Sequence, residues 1–118
     1  MTPKLIVYEK RTCSVCRRLC DLLTERGIDF QRIEYLVDGL SEEEIRSLLA
    51  KAGMGPRDVL RTREPLVAEL SLDDADAVSD DDVVAHMAEH PELLQRPIVV
   101  CGERAMLARP VERVLELL

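Results

Sequence analysis

The sequence is nearly empty of aromatic side chains, with no tryptophan, one phenylalanine and two tyrosines, 3% of its 118 residues. Hydrophobic residues still make up 47%, so the core must be aliphatic, and a chain of this length can bury one modest core. No apolar run approaches the roughly 20 residues that carry a helix across a bilayer. Met1-Thr2-Pro3-Lys4 leads straight into Leu5-Ile6-Val7-Tyr8, too short for a signal-peptide core and without a small-residue cleavage site. The expected location is cytoplasmic. Lysine is also scarce, confined to Lys4, Lys10 and Lys51, so positive charge is almost all arginine. The formal charge of −7 argues against direct contact with nucleic acid or an anionic membrane. Arginine grips oxyanions through paired hydrogen bonds, and a small anionic substrate fits this balance.

The elements that are present read as α/β. Lys4 to Tyr8 is a buried strand, Arg11-Thr12-Cys13-Ser14 a loop, and Val15, Leu19, Leu22, Leu23 and Arg26 fall at helical spacing before a stop at Gly27. Phe30 to Tyr35 alternates as a second strand, parallel to the first because a helix joins them. Ser41-Glu42-Glu43-Glu44 is a capping box, opening a helix with Ile45, Leu48 and Leu49 on its apolar face and Gly53 at its end. Short helices follow after Pro56 and from Pro65 to Leu70, and Ser79 caps another that carries Val83, Val84 and Met87 to His90-Pro91. Pro97 to Val100 is a strand, Gly102-Glu103 a tight turn and Arg104 to Ala108 its antiparallel partner. Pro110 starts a last helix with Val111, Val114, Leu115 and Leu118. With no repeat or linker, the reading is one domain over residues 1–118. It has a four-stranded mixed sheet, ordered βαβ … ββα, with a helical insertion at about 41–91.

Chemistry concentrates at Cys13-Ser14-Val15-Cys16, where a strand feeds a helix. The unsatisfied N–H groups and partial positive charge of a first helical turn favour a thiolate, so Cys13 should have a depressed pKa. Arg11, Arg17 and Arg18 add positive charge nearby, and Cys16 is close enough for a disulfide with Cys13. A CxxC after the first strand of such a chain is a thioredoxin-like sign. Half a zinc site is the metal alternative, but no second CxxC or Cys/His pair follows at ligand spacing; an inert thiol pair is the other. No metal is expected. Cys20, one turn beyond Cys16, reads as a small apolar core group, with a second resolving role as the alternative. Cys101 ends a strand with no partner in view. His86 and His90, at i, i+4, read as a helix surface and a helix end. The Asp73–Asp82 run lacks the glycine and terminal glutamate of a calcium loop and reads as solvated turn and cap.

Several segments together resemble the ArsC-type arsenate reductases and their Spx-like relatives, over nearly the whole chain. They are Tyr8 to Cys13, Arg26-Gly27-Ile28, Glu34-Tyr35-Leu36, Pro56 to Pro65, Glu89-His90-Pro91, Gln95 to Val100 and Ala108-Arg109-Pro110. The resemblance implies a thioredoxin-like fold and a thiol at Cys13 that attacks arsenate. It implies Arg61, Arg96 and Arg109 as the arginines that bind the oxyanion, and Pro97 as a cis-proline facing the reactive cysteine. The glutaredoxin-coupled members it resembles lack a cysteine at Cys16 and resolve the adduct with glutathione. Here Cys16 can resolve it instead, releasing arsenite and leaving a Cys13–Cys16 disulfide. No bound cofactor is implied, only an external thiol reductant, glutathione with glutaredoxin or thioredoxin.

Two other functions fit part of the pattern. Spx-type regulators carry CxxC here and sense oxidation while gripping RNA polymerase. They lack the counterpart of Arg109 and usually run on into a basic tail, whereas this chain keeps Arg109 and stops at Leu118. A general thiol-disulfide reductase without arsenate activity is the other alternative. The expected order is arsenate reductase first and regulator second.

Overall fold

The computed structural model describes residues 5–10 and 12–117. Lys4, Arg11 and Leu118, placed above in a strand, a loop and the last helix, lie outside them. The chain divides into two units, Met1–Asp38 with Arg96–Leu118, and Gly39–Gln95.

In the first unit, alternation makes the opening strand. Leu5, Val7 and Glu9 are buried and Ile6 and Tyr8 half-buried along β1 (Leu5–Glu9), as period-two geometry requires. The helix α1 (Ser14–Glu25) buries Cys16, Leu19, Cys20 and Leu23, a stripe at spacings of three and four. Leu19 and Leu23 pack with Leu5 and Val7 in the core cluster. Ser14 is already helical, which shortens the expected loop, and the cap residue is Cys13 itself. Past the last turn, Gly27 takes φ +68°, a left-handed conformation that glycine adopts without a Cβ clash.

β2 (Phe30–Glu34) runs parallel to β1, Leu5 opposite Phe30, so α1 is the crossover that such pairing needs. The strand expected to reach Tyr35 stops one residue earlier, because Tyr35, fully buried, opens the one-turn helix α2 (Tyr35–Asp38). β3 (Ile98–Cys101) pairs antiparallel with β1 and with β4 (Arg104–Leu107), giving the sheet order β2-β1-β3-β4. Pro97 and Ala108 flank the hairpin rather than belonging to it, and Gly102 sits in its turn at φ +62°. The last helix, expected after Pro110, is a 3-10 helix over Val111–Leu117. Its buried residues, Val111, Val114 and Leu117, recur every third position, the period that lines up one face of a 3-10 helix.

Glu9 is the exception within this unit. It takes the third position on the buried face of β1 and is fully buried. An ionised carboxylate in that position must be paired. Arg32 of β2 holds Oε1, and the Cys20 thiol donates to Oε2 at 3.3 Å.

The second unit is helical. Ser41 closes a full capping box on α3 (Glu42–Ala52): its Oγ accepts from Glu44 N at 3.1 Å, and its N–H donates to Glu44 Oε1 at 3.1 Å. Ser41→Ala is expected to cost about 1 kcal/mol, seen as a lower urea midpoint at unchanged slope; an unmoved midpoint would show that the box contributes nothing. A 3-10 turn, Pro56–Val59, precedes α4 (Pro65–Leu70). α5 (Asp80–Glu89) is capped by Ser79 Oγ, which accepts from Asp82 N at 3.2 Å, and it packs against α3.

The acidic residues of the run 73–82, which ends in the first turn of α5, are exposed, but two of them are not merely solvated. Arg46 donates to Asp81 at 2.9 Å, and Arg57 binds Asp80 and the Val78 carbonyl. Another short 3-10 turn, Pro91–Leu93, leads to an antiparallel bridge between Leu60 and Leu94. Arg61 N–H donates to Leu93 O, and Gln95 N–H to Val59 O, each at 2.7 Å. Among the described residues no helix is long and apolar enough to cross a membrane.

Candidate active site

The end of β1 and the start of α1 set the sulfur site. Cys13 is the N-cap of α1 in an extended conformation, with φ −78° and ψ 124°. Its N–H donates to Lys10 O at 3.0 Å, and its carbonyl accepts from Arg17 N at 3.0 Å, so the backbone on both sides of the sulfur is fixed. The neutral side chain makes no capping hydrogen bond, yet it stands at the donor end of the helix, half-buried. Burial pushes its thiol up. The Cys16 amide, the Cys16 thiol, the Val15 amide and the Arg96 guanidinium together outweigh burial and hold Cys13 below the ordinary value of 9.0. A partly exposed thiol with a depressed pKa is the form in which cysteine is nucleophilic at neutral pH.

Cys16 is the opposite kind of thiol. It is fully buried. Burial pushes it up to about 12, opposed in part by the Lys10 amide and reinforced by the charges of Cys13 and Glu9. Its S–H therefore stays protonated and donates to the Cys13 sulfur. Cys20 is also raised to about 12, by burial first and then by its bond to Glu9. Reading Cys20 as a small apolar group is thus incomplete: it is buried, but it hydrogen-bonds a carboxylate. All four cysteines are free thiols, with Cys101 half-buried at the end of β3.

Among the described residues, the charge beside Cys13 does not come from Arg17 or Arg18, its neighbours in sequence. Arg18 is exposed and turns to Glu112 at 3.4 Å, and Arg17 is exposed. The cation that bears on the sulfur is Arg96, from the segment before β3, only 6% exposed. Its guanidinium donates to Tyr35 Oη at 3.5 Å, and its Nε has no hydrogen-bond partner among the described residues. Burial lowers the Arg96 pKa, but Tyr35 and the Cys13 sulfur more than reverse this and leave it raised. Arg109 Nε donates to Arg96 O at 2.7 Å, which ties the third arginine to the backbone of the second. The Arg96–Pro97 bond is cis, as the resemblance implied, and so is Arg109–Pro110, which was not foreseen.

In the second unit Arg61 is half-buried, with Nε 3.5 Å from Glu64 Oε1. His90 ends α5 with Nδ1 3.5 Å from Glu92, and His86 lies one turn earlier on the same helix.

Comparison with known proteins adds a family match covering residues 8–117. The chain belongs to the ArsC family. An uncharacterised protein of Escherichia coli K12, YfgD, is 35% identical over 99% of this chain and 98% of its own length. An arsenate reductase of Haemophilus influenzae is 36% identical over 97% of this chain and 98% of the relative. The solved structure of an arsenate reductase from Vibrio cholerae, 41% identical, superposes with a TM-score of 0.93 over the whole of both chains. The mixed sheet is accordingly the thioredoxin-like sheet of its ArsC structural neighbours.

Within the ArsC family fold, two residues matter to the site that composition and spacing did not single out. Tyr35 reads as the end of the second strand and part of a family segment, and Glu9 falls only within the segment Tyr8 to Cys13, one residue past the strand read as ending at Tyr8. The signal for Glu9 was available: it shares the face of Leu5 and Val7, and a charge at the next alternate position implies a buried partner.

Proposed function

We propose that the protein reduces arsenate to arsenite, with Cys13 as nucleophile, Cys16 as resolving thiol, and Arg61, Arg96 and Arg109 as the oxyanion-binding groups. The observation that carries this reading is a depressed Cys13 thiol beside a buried guanidinium. Arginines 32, 46 and 57 pair with carboxylates; Arg96 pairs with none among the described residues, and its Nε has a donor to spare. A tetrahedral oxyanion would use that donor while presenting arsenic to the sulfur. The names of the relatives support the substrate class.

The reaction balances with two thiols. The Cys13 thiolate attacks arsenic(V) and displaces one oxygen as water, giving a sulfur–arsenic bond. Cys16 then attacks the Cys13 sulfur, its proton leaving as the S–S bond forms. The electron pair of the broken S–As bond stays on arsenic, which departs as arsenite. Two thiols become one disulfide, and arsenic gains two electrons. An external dithiol or glutathione system restores the pair. Phosphate and sulfate share the shape and charge but do not accept the electrons, so they should inhibit without turning over. The chain supplies the sulfurs and the binding groups and needs no bound cofactor in this scheme.

Arsenite formation measured with glutaredoxin plus glutathione and with thioredoxin tests the proposal; no arsenite from either donor would remove it. The hydrogen-bonded Cys13–Cys16 pair also suits exchange with small disulfides. Insulin reduction faster than arsenate reduction would move the assignment to a general thiol-disulfide reductase.

A further inference from the structure

The buried face of α1 carries one more sulfur than a two-thiol reaction uses. Cys20 follows Cys16 by one turn on the same buried stripe, and its Sγ donates to Glu9 Oε2 at 3.3 Å. Glu9 is fully buried, with its other oxygen on Arg32. A cysteine kept only for packing needs no such neighbour, because a thiol fills space well as a small apolar group. A buried carboxylate, by contrast, costs several kcal/mol unless its oxygens are satisfied. A strong donor serves Oε1, while Oε2 is turned to a weak S–H donor. At rest the carboxylate keeps the proton on sulfur, but it also stands within hydrogen-bond distance of the thiol that must lose that proton when a disulfide is attacked.

We propose that Cys20 is a second resolving thiol, with Glu9 as its proton acceptor, and that it converts a Cys13–Cys16 disulfide into a Cys16–Cys20 disulfide. The inference rests on Cys13 and Cys16 being the reactive pair. The Cys20 proton passes to Glu9, and the resulting thiolate attacks Cys16 Sγ. The Cys13–Cys16 bond breaks, and Cys13 leaves as a thiolate; one disulfide replaces another with no net change in electrons. The direction follows from the leaving group. Expelling Cys13 releases the sulfur already stabilised by the helix amides and Arg96, and a more acidic thiol leaves faster. The Cα atoms, four residues of helix or about 6 Å apart, fall within the roughly 4.4–6.8 Å that disulfides span. The Cβ atoms, about 5–6 Å apart on an intact helix, must close to about 4 Å, so the exchange requires the first turns of α1 to loosen locally. The exchange restores the Cys13 nucleophile and moves the oxidised pair beneath α1, so the external donor reduces a different disulfide from the one the substrate created.

The test needs no arsenate. The reduced chain is oxidised with one equivalent of diamide, quenched with acid at intervals, alkylated, digested with trypsin and mapped by mass. Cleavage after Arg17 and Arg18 leaves a Cys13–Cys16 disulfide inside one peptide, whereas a Cys16–Cys20 disulfide joins two. The expected course is an internal disulfide first, then joined peptides with Cys13 alkylated. Cys20→Ser should stop at the first species, and Glu9→Gln should slow the second step by about 10²-fold, the usual scale for loss of a proton acceptor. A wild-type end point with Cys13–Cys16 intact and Cys20 alkylated overturns the proposal. Joined peptides forming equally fast in Glu9→Gln overturn the role of Glu9. Arsenate turnover without any Cys16–Cys20 link rejects this inference alone, and loss of arsenate turnover leaves the diamide result standing.

Discussion

Cys13→Ser is expected to reduce arsenite formation to the uncatalysed background, a loss of at least about 10³-fold, with either electron donor. A serine oxygen can neither form the sulfur–arsenic bond nor surrender the electrons that arsenic takes up. Even its first task, attack, would fail, because a hydroxyl stays protonated where the Cys13 thiol ionises. The same pKa argument fixes how the wild type responds to pH. Activity should rise as pH climbs through the Cys13 pKa, and the half-rise should fall below 9.0, the ordinary thiol value, because the Cys16 and Val15 amides and Arg96 outweigh burial there.

Stability carries the same signature. A folded-state pKa below the unfolded one contributes stability that is complete above the unfolded value and is lost as pH falls through the folded value. The wild type should therefore gain on Cys13→Ser as pH rises through that interval and hold the gain above about 9. Alkylation rates at Cys13 followed against pH give the titration directly. A half-rise at 9.0 or higher would mean an ordinary thiol and would remove the mechanism.

The fold was readable where local chemistry and periodicity agreed. The Ser41 box, the helix from Pro65 to Leu70, the turn at Gly102 and the parallel pair around α1 each combine a terminal signal with a hydrophobic period, and the structure has all of them. Boundaries failed where a residue could serve either neighbour. Tyr35 suits a strand by propensity but is buried at the head of a one-turn helix. Val111 and Val114 suit an α-helix or a 3-10 helix equally until Leu117 sets the period at three. At the site, spacing alone assigned the local charge to the neighbours of Cys13, while the family resemblance pointed to Arg96. Arginines near Cys13 in the chain looked like its electrostatic partners, yet Arg18 faces Glu112 and the cation on the sulfur arrives from Arg96, across the sheet order. Distance along a chain says little about a Coulomb interaction once strands are paired. Glu9 was missed for a related reason: its partner Arg32 is on β2, and only the parallel register places the two strands side by side.

Arg96→Met should separate the two jobs proposed for Arg96, with an expected fall in kcat/KM for arsenate of about 10²–10³-fold, on the scale of about 3–4 kcal/mol found when a preorganised donor is removed. Methionine has similar length and no donor. Because Arg96 is only 6% exposed and its Nε is unsatisfied, losing the charge removes a desolvation cost along with the bonds to Tyr35 and Cys13. The groups left behind, the Tyr35 hydroxyl and the Cys13 thiol, can both be neutral, so the variant leaves no uncompensated buried charge and the fold should survive the change with a lower urea midpoint. Activity should not. Without the guanidinium the Cys13 pKa should rise, moving the activity profile towards higher pH, and arsenate should bind more weakly even at a pH where the thiolate is fully formed. Measuring kcat/KM on that high-pH plateau isolates the binding loss from the ionisation loss. Arg96→Lys should recover part of the pKa shift, since any cation stabilises a thiolate, but little of the binding, because an ammonium lacks the planar fork that pairs with two oxygens. A plateau kcat/KM in Arg96→Met equal to that of the wild type would show that the substrate is held by other groups. An unmoved Cys13 titration would show that the helix terminus alone makes the thiolate.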